Sequence, residues 1–441
     1  MSTGKDDRSD RTEGIQAVRG TRDLLPGETE AWQLVEETVR SVMFDYGYRE
    51  IRTPVFEETQ LFTRGIGEHT DIVGKEMYTF PDQGGRSLTL RPEGTAGVVR
   101  AYLEHRMDAQ GVVDKLYYLG PMFRQEAPQK GRARQFHQFG AEIVGTEAPE
   151  ADAEVILNLL AVLEAIGLSS WRLHLGSLGC RRCRPAYREL LVAFLRGIEG
   201  ALCTDCRARI DTNPLRVLDC KKEGCRTVTA GAPSQLDHLD EECRHHFETV
   251  KTLLDDRGVA YTVDPRMVRG LDYYERTTFE VLSDDLGAQD ALGGGGRYDG
   301  LAEMLGGAKR IPAVGYAAGL ERILIALEAA GEDLVFDPRT EVALVPVGEE
   351  ARRVLFGLAD ELRRAGVAAH IDLAGRSVRA QMREANRLGA RLALIAGDDE
   401  LAGGNITLKD LVDSSERTVP LAGAVEAVFE RLASGDEEEG A

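Results

Sequence analysis

Apolar residues recur at helical spacing over residues 29–44, and the pattern breaks at Asp45-Tyr46-Gly47-Tyr48, where Gly47 suits a left-handed helix stop. A strand-like run then leads to Thr53-Pro54, with proline where a strand edge tolerates a missing N–H. Residues 87–90 and 115–119 read as strands, and 135–144 (QFHQFGAEIV) alternates polar with larger apolar residues, as a half-buried antiparallel strand does. Helices and strand-like runs alternate in this way over residues 14–325, interrupted at about 175–250 by a cysteine-rich stretch. A charged, Pro- and Gly-containing linker at 326–340 precedes a region of different texture. There, strands predicted at 342–347, 367–373, 392–396, 405–408 and 417–421 are interleaved with helices at 349–364 and 376–388, and a helix at 424–432 closes the unit. This order predicts a small α/β unit at 341–434 with a mostly parallel sheet.

Composition narrows the class. The chain has 441 residues, 43% of them hydrophobic and 29% charged, as in a globular protein of several domains. No apolar run approaches the roughly 18 residues of a spanning helix, so a membrane role is not expected. Residues 1–14 lack the apolar core of a secretory signal, which makes a cytoplasmic location the default. The polar stretch 1–13 and the acidic tail 435–441 have nothing to bury and are expected to be disordered.

All seven cysteines lie between Cys180 and Cys243, which in a long chain without an export signal is not a disulfide framework. Two Cys-x-x-Cys pairs, Cys180/Cys183 and Cys203/Cys206, have the spacing with which a tight turn grips a tetrahedral metal. These four are the candidate ligands of a structural zinc. The spacing leaves open whether the cysteines are instead reduced, buried thiols, and which four of the seven would bind.

Several segments carry chemistry. Residues 120–145 predict a long hairpin with a basic tip, Arg124, Lys130, Arg132 and Arg134 against Glu126. Arg124 ends the first strand, where its planar fork suits a phosphate or carboxylate. On the return strand Gln138, Gly140 and Glu142 fall at period two, so an amide, a gap and a carboxylate share one face. Arg91-Pro92-Glu93-Gly94-Thr95 is a turn bearing an acid and a hydroxyl. Arg269-Gly270-Leu271-Asp272-Tyr273-Tyr274 joins a charge and a turn to paired aromatics. The run Gly293 to Gly296, followed by Arg297-Tyr298-Asp299-Gly300, sets side-chain-free backbone beside charged groups. It is no P-loop, for no Gly-Lys-Ser/Thr follows. Residues 315–323 (GYAAGLERI) lead small residues into a helix bearing Glu321 and Arg322.

Together these segments resemble the class II aminoacyl-tRNA synthetases, and among them the histidyl-tRNA synthetase family. YGYREIRTPVFE (46–57), FRQEAPQKGRARQFHQFGAE (123–142) and GYAAGLERI resemble the three class motifs. RGLDYY (269–274) and GGRYDGL (295–301) resemble the two motifs peculiar to the histidine enzymes. The resemblance runs in order from residue 14 to about 425. It implies an α+β catalytic domain on an antiparallel sheet over 14–325, with the Cys-rich stretch as an insertion, and an α/β anticodon-binding domain over 341–434.

The resemblance also implies an activity: L-histidine is activated by ATP with Mg²⁺ to histidyl-adenylate and passed to the 3′ end of tRNA(His), by a homodimer. Glu93, Gly94, Thr95 and Gln138 match positions around the substrate amino group, and Glu142 and Tyr274, with Tyr273 beside them, positions that read the imidazole. Arg124, Arg269 and Arg322 match the ATP-binding and catalytic arginines. Gln129, Arg132 and Arg134 match positions that approach the acceptor stem. A rival of another class is a non-catalytic relative, the synthetase-like regulatory subunit of ATP phosphoribosyltransferase, which is expected to lack the anticodon-binding domain and the intact arginine loop.

The net charge of −20 argues at face value against a polyanion partner. Its distribution says otherwise. Seven arginines stand against Asp372 and Glu384 between Arg363 and Arg391, and Arg379, Arg383 and Arg387 recur every four residues on one helical face. With Arg376 they are the candidate anticodon-side contacts.

Overall fold

The computed structural model describes residues 15–67, 70, 72–127, 131–331 and 340–439. The chain divides into two compact units, 1–334 and 335–441.

The strands of the first unit are β1 (Arg49–Glu50), β2 (Phe56–Glu58), β3 (Thr79–Pro81), β4 (Ser87–Leu90), β5 (Asp114–Phe123), β6 (Gln135–Val144), β7 (Arg172–Ser177), β8 (Tyr261–Val263), β9 (Glu275–Leu282), β10 (Ala291–Arg297) and β11 (Ala313–Gly319). Eight of them form one sheet in the order β1-β5-β6-β11-β10-β9-β7-β8, while β2, β4 and β3 make a small separate sheet. Only the outermost pairs, β1/β5 and β7/β8, are parallel. The five inner pairings are antiparallel, as expected for a class II catalytic sheet.

Alternation along the central strands separates two faces. Tyr117 of β5 and Phe139, Ala141 and Ile143 of β6 point into the main core. There they meet Val35 and Val39 of the helix Thr29–Asp45, Val155 and Leu159 of Pro149–Ala165, and Ile323 of Leu320–Ala330. Tyr118 of β5 points the other way, into a second cluster with Met122, Tyr273, Tyr274 and Tyr298. Gln138, Gly140 and Glu142 therefore occupy that second face, which carries the candidate chemistry.

Between β7 and β8 the chain makes the cysteine-rich insertion from the helices Arg184–Gly197, Thr204–Thr212, Leu215–Leu218, Glu223–Val228 and Glu241–Asp255. It has its own core of Tyr187, Leu191, Leu195, Ile210 and Val217.

The second unit holds β12 (Val342–Val347), β13 (Ala369–Ile371), β14 (Leu392–Gly397), β15 (Asn405–Asp410) and β16 (Glu416–Pro420) in the order β13-β12-β14-β15-β16. Its sheet is mixed rather than mostly parallel: β12 is parallel to β13 and β14, but β14/β15 and β15/β16 are antiparallel. The connections explain this. A parallel return needs a crossover of about a dozen residues or more, and the segments after β14 and β15 are shorter.

Two further expectations are corrected. The helix Leu320–Ala330 runs into the span read as linker and ends at Gly331, which adopts φ 74°. Residues 332–339 lie outside the described residues, as do 1–14. The closing helix Ala424–Glu439 passes the expected end at 432 and enters the acidic tail, where glutamates are good helix formers.

Candidate active site

Glu93 begins the site. Its carboxylate accepts from the backbone N–H groups of Thr95 (2.6 Å) and Ala96 (3.0 Å), so it closes the N-terminus of the helix Thr95–Glu104 from the preceding turn. Burial raises its pKa, opposed by those two amides and by Arg124. The turn holds Thr95 so that its hydroxyl donates to Oε1 of Glu142 at 2.7 Å. The other oxygen of Glu142 accepts from the Tyr298 hydroxyl. Glu142 is fully buried on β6, and burial pushes its carboxyl up to about 8 despite those hydrogen bonds.

Four tyrosines wall this carboxylate. Tyr273 and Tyr274 pack with ring centroids 4.7 Å apart, and Tyr298 meets Tyr273 edge-on at 5.6 Å. Tyr118 reaches over from β5. Among the described residues, the hydroxyls of Tyr118 and Tyr273 and Oε1 of Gln138 are buried without a hydrogen-bond partner, so polar atoms of these walls are left for a polar ligand. Glycines create the space: a Cβ at Gly94 or Gly140 would strike Tyr118, and one at Gly315 would strike Oε2 of Glu142. Gly140 faces Tyr118 in the β5/β6 register, and Gly315 faces Glu142 in that of β6/β11.

The arginines gather beside this pocket. Arg124 donates through Nε to the Pro92 carbonyl at 3.0 Å and lies 5.2 Å from the Phe136 ring centroid. Arg322 donates to the carbonyls of Ala291 (2.8 Å) and Gly131 (3.3 Å). Burial, then the positive charges of Arg132 and Arg124, lower the Arg322 pKa, the signature of crowded guanidiniums without enough counter-charge. Arg269 pairs with Glu280 at 2.8 Å and sits 5.9 Å from the Tyr274 ring centroid. Burial pulls its pKa down, but Glu280 and Tyr274 more than offset this. Gly294 makes room, since a Cβ there would stand 3.0 Å from both terminal nitrogens of Arg269. A buried carboxylate walled by tyrosines thus adjoins a cationic cradle suited to phosphates.

The remaining expected residues divide. Arg132 pairs with Glu126 at 3.0 Å, and Arg134 donates to the Arg19 carbonyl at 3.1 Å, tying the hairpin to the segment before the first helix. Gln129 lies outside the described residues. In the second unit Arg376 is paired with Asp372 and Arg387 with Glu384, whereas exposed Arg379 and Arg383 have no carboxylate partner among the described residues. The cysteines correct the expected ligand set: Cys180 and Cys183 gather with Asp240 and Cys243, while Cys203 and Cys206 gather with Cys220 and Cys225. The two Cys-x-x-Cys pairs do not share a centre, because helical segments of the insertion carry them to different partners.

Sequence reasoning missed Tyr118, Tyr298 and Glu280 as site groups. Tyr298 lies inside the GGRYDGL segment, whose resemblance to a motif of the histidine enzymes was the usable signal. Arg297 is not a ligand group: it is fully buried and engaged by Asp152, by Asp299 at 3.0 Å and by the Thr146 carbonyl at 2.8 Å. Tyr118 had no local signal, for its role follows from facing Gly140 across strands.

The histidyl-tRNA synthetase family model matches residues 20–323. The chain belongs to this family. The anticodon binding domain model matches residues 341–431, so the mixed sheet of the second unit carries that family assignment. The histidine–tRNA ligase of Maridesulfovibrio salexigens is 50% identical over 404 residues, 91% of this chain and 97% of that protein. That of Solibacter usitatus is 51% identical over 402 residues, 91% and 96% of the two chains. Among solved structures, an apo histidyl-tRNA synthetase from S. aureus superposes with a TM-score of 0.81 at 39% identity, covering 94% of this chain and 100% of that one. The fold expected for the family, a catalytic unit on a largely antiparallel sheet with a Cys-rich insertion and a separate anticodon-binding unit, is the fold observed. No helix among the described residues is long and apolar enough to cross a membrane.

Proposed function

We propose that this chain is a histidine–tRNA ligase that activates L-histidine with ATP and transfers it to the 3′ end of tRNA(His). The observation that carries the reading is the buried Glu142 carboxylate, held by Thr95 and Tyr298 and adjoined by Arg124, Arg269 and Arg322. Glu142 and Tyr274, with Tyr273 beside them, read the imidazole, while Glu93, Thr95 and Gln138 hold the amino group beside Gly94. An amino acid unable to satisfy these buried groups leaves them unpaired, which is the basis of rejection.

In the first step an oxygen of the histidine carboxylate attacks the α-phosphorus of ATP, the bond to the β-phosphate oxygen breaks, and pyrophosphate leaves. Arg124 and Arg269 stabilise the charge on the α-phosphate and Arg322 that on the departing phosphates. Glu126 and Glu280, the carboxylates among the arginines, are fitted by charge and oxygen chemistry to hold Mg²⁺, which supplies further neutralisation of the phosphates. In the second step a hydroxyl of the terminal tRNA ribose attacks the activated carbonyl and AMP leaves.

The reading extends to the chain's organisation: a catalytic domain over 14–325 and an anticodon-binding domain over 341–434, in a cytoplasmic homodimer joined through the 46–57 segment. Arg132 and Arg134 of the hairpin serve the acceptor end, with Gln129 between them and Glu126. Arg376, Arg379, Arg383 and Arg387 serve the anticodon side. The regulatory-subunit alternative is disfavoured by the match to the anticodon binding domain and by the complete arginine set. The test is exchange of labelled pyrophosphate into ATP, expected only with histidine present. Absence of histidine-dependent exchange in folded protein overturns the ligase reading.

A further inference from the structure

The seven cysteines of this chain fall without remainder into two groups of ligand atoms, and neither group belongs to the chemistry above. One is Cys203, Cys206, Cys220 and Cys225. The other is Cys180, Cys183 and Cys243, completed by Asp240. Within each group the ligand atoms lie within 4.8 Å of one another, and every cysteine is free of disulfides. We propose that these are two separate structural metal sites, one of four thiolates and one of three thiolates and a carboxylate, each taking a zinc-class divalent ion.

The geometry of the second group fits the ion closely. Thiolates at about 2.3 Å from a tetrahedral zinc stand about 3.8 Å apart, and a carboxylate oxygen at about 2.0 Å stands about 3.5 Å from each of them. Sγ of Cys183 lies 3.8 Å from that of Cys180 and 3.9 Å from that of Cys243. Oδ2 of Asp240 is 3.3 Å from Sγ of Cys180, while Oδ1 accepts from the Cys243 N–H at 2.8 Å and fixes the carboxylate. Backbone amides point at the sulfurs: Cys180 N–H at Cys183 (3.0 Å), Arg182 N–H at Cys180 (3.4 Å) and, in the first group, Cys203 N–H at Cys225 (3.2 Å). Such donors stabilise thiolates, the form that binds metal. Cations offset the charge that three or four thiolates leave after zinc binds. Arg182 reaches Asp240 at 3.2 Å, and Lys222, 3.5 Å from Asp205, flanks the four-cysteine group.

The two centres also have a mechanical place. Arg184, the first residue of the helix that follows Cys183, donates to the Tyr274 carbonyl at 3.0 Å, and Gly179, just before Cys180, accepts from the Arg276 N–H at 2.8 Å. From the side of the four-cysteine group, Asn213 donates to Asp272 at 2.9 Å and Arg266 to Thr229 at 2.8 Å. Both ions thus fasten the insertion to the segment bearing Arg269, Tyr273 and Tyr274.

The test is elemental analysis of the full-length protein, purified without chelator from zinc-replete cells. Two equivalents of zinc per chain are expected. Cys206→Ser and Cys243→Ser are each expected to lose one equivalent, and the double variant both. Cobalt substitution is expected to give thiolate-to-metal charge-transfer absorption from both centres, weakened but not abolished in either single variant. Zinc at one equivalent or fewer in the unaltered chain overturns the two-site proposal, whether or not any variant folds. A metal content unchanged by the substitutions overturns the ligand assignment.

Discussion

The Thr95 hydroxyl stands 2.7 Å from Oε1 of Glu142, joining a helix N-terminus to the middle of the central sheet by a buried hydrogen bond. Each group answers the other's burial, and the Tyr298 hydroxyl completes the carboxylate. Glu142→Gln keeps the shape and replaces an acid that can ionise to meet a cationic ligand group by an amide that cannot. It is expected to lower kcat/KM for histidine in pyrophosphate exchange by roughly 10- to 100-fold, the usual weight of a hydrogen bond to a charged group. Unchanged kcat/KM would remove Glu142 from imidazole recognition.

The same carboxylate predicts a pH dependence. Burial raises its pKa from 4.5 to about 8 in the folded protein. A carboxyl with a raised folded pKa stabilises the fold fully below its unfolded value, and that contribution is lost as pH rises through the folded one. The melting temperature of ligand-free protein should therefore fall between about pH 5 and about pH 8 more steeply than that of Glu142→Gln, and the two curves should run parallel above that range. Curves from a calorimetric series that are parallel within that range as well would place the titration elsewhere.

Gly315 is where strand β11 passes the carboxylate, and a side chain there would strike Oε2 of Glu142. Gly315→Ala should destabilise by about 1–3 kcal/mol, the range for overpacking a filled core. It should also raise KM for histidine more than KM for ATP. Denaturant melts and the two KM values measured together check this, and a variant matching the parent in both would show that β11 yields without cost.

Arg269 is oriented by Glu280 and by the Tyr274 ring. Arg269→His should reduce adenylate formation by about 100- to 1,000-fold, the loss expected when one preorganised transition-state donor is removed. Circular dichroism should show the fold retained. Exchange at the parental rate would remove Arg269 from the reaction.

Part of this site is legible locally and part only in three dimensions. The period-two placement of Gln138, Gly140 and Glu142 survives folding because β6 is a regular strand with Phe139, Ala141 and Ile143 on the core side. Tyr118 could not be read that way: Tyr117 beside it is equally aromatic, and only cross-strand register decides which of the two meets Gly140. The cysteine grouping fails for a similar reason. Spacing identifies the two Cys-x-x-Cys turns, but their completing ligands, Asp240 and Cys243 for one and Cys220 and Cys225 for the other, depend on how the insertion helices pack. In the second unit hydrophobic periodicity located the strands, but strand direction depends on connection length, and the short links around β15 enforce antiparallel pairing.

The charge pattern of the second unit separates its arginines. On the helix Val378–Arg387, Arg387 is held by Glu384 at 2.6 Å, and Arg376 just before the helix by Asp372 at 2.5 Å. Arg379 and Arg383, one turn apart and exposed, have no such carboxylate among the described residues and keep their charge available to phosphates. Replacing both with alanine should weaken tRNA(His) binding and reduce the slope of log K against log salt by about two, one for each phosphate no longer neutralised. Histidine-dependent pyrophosphate exchange needs no tRNA and should not change. Filter binding across a salt series, run beside the exchange assay, separates the possibilities: an unaltered slope would exclude these two arginines as phosphate ligands, and an equal fall in exchange would mark a folding defect instead.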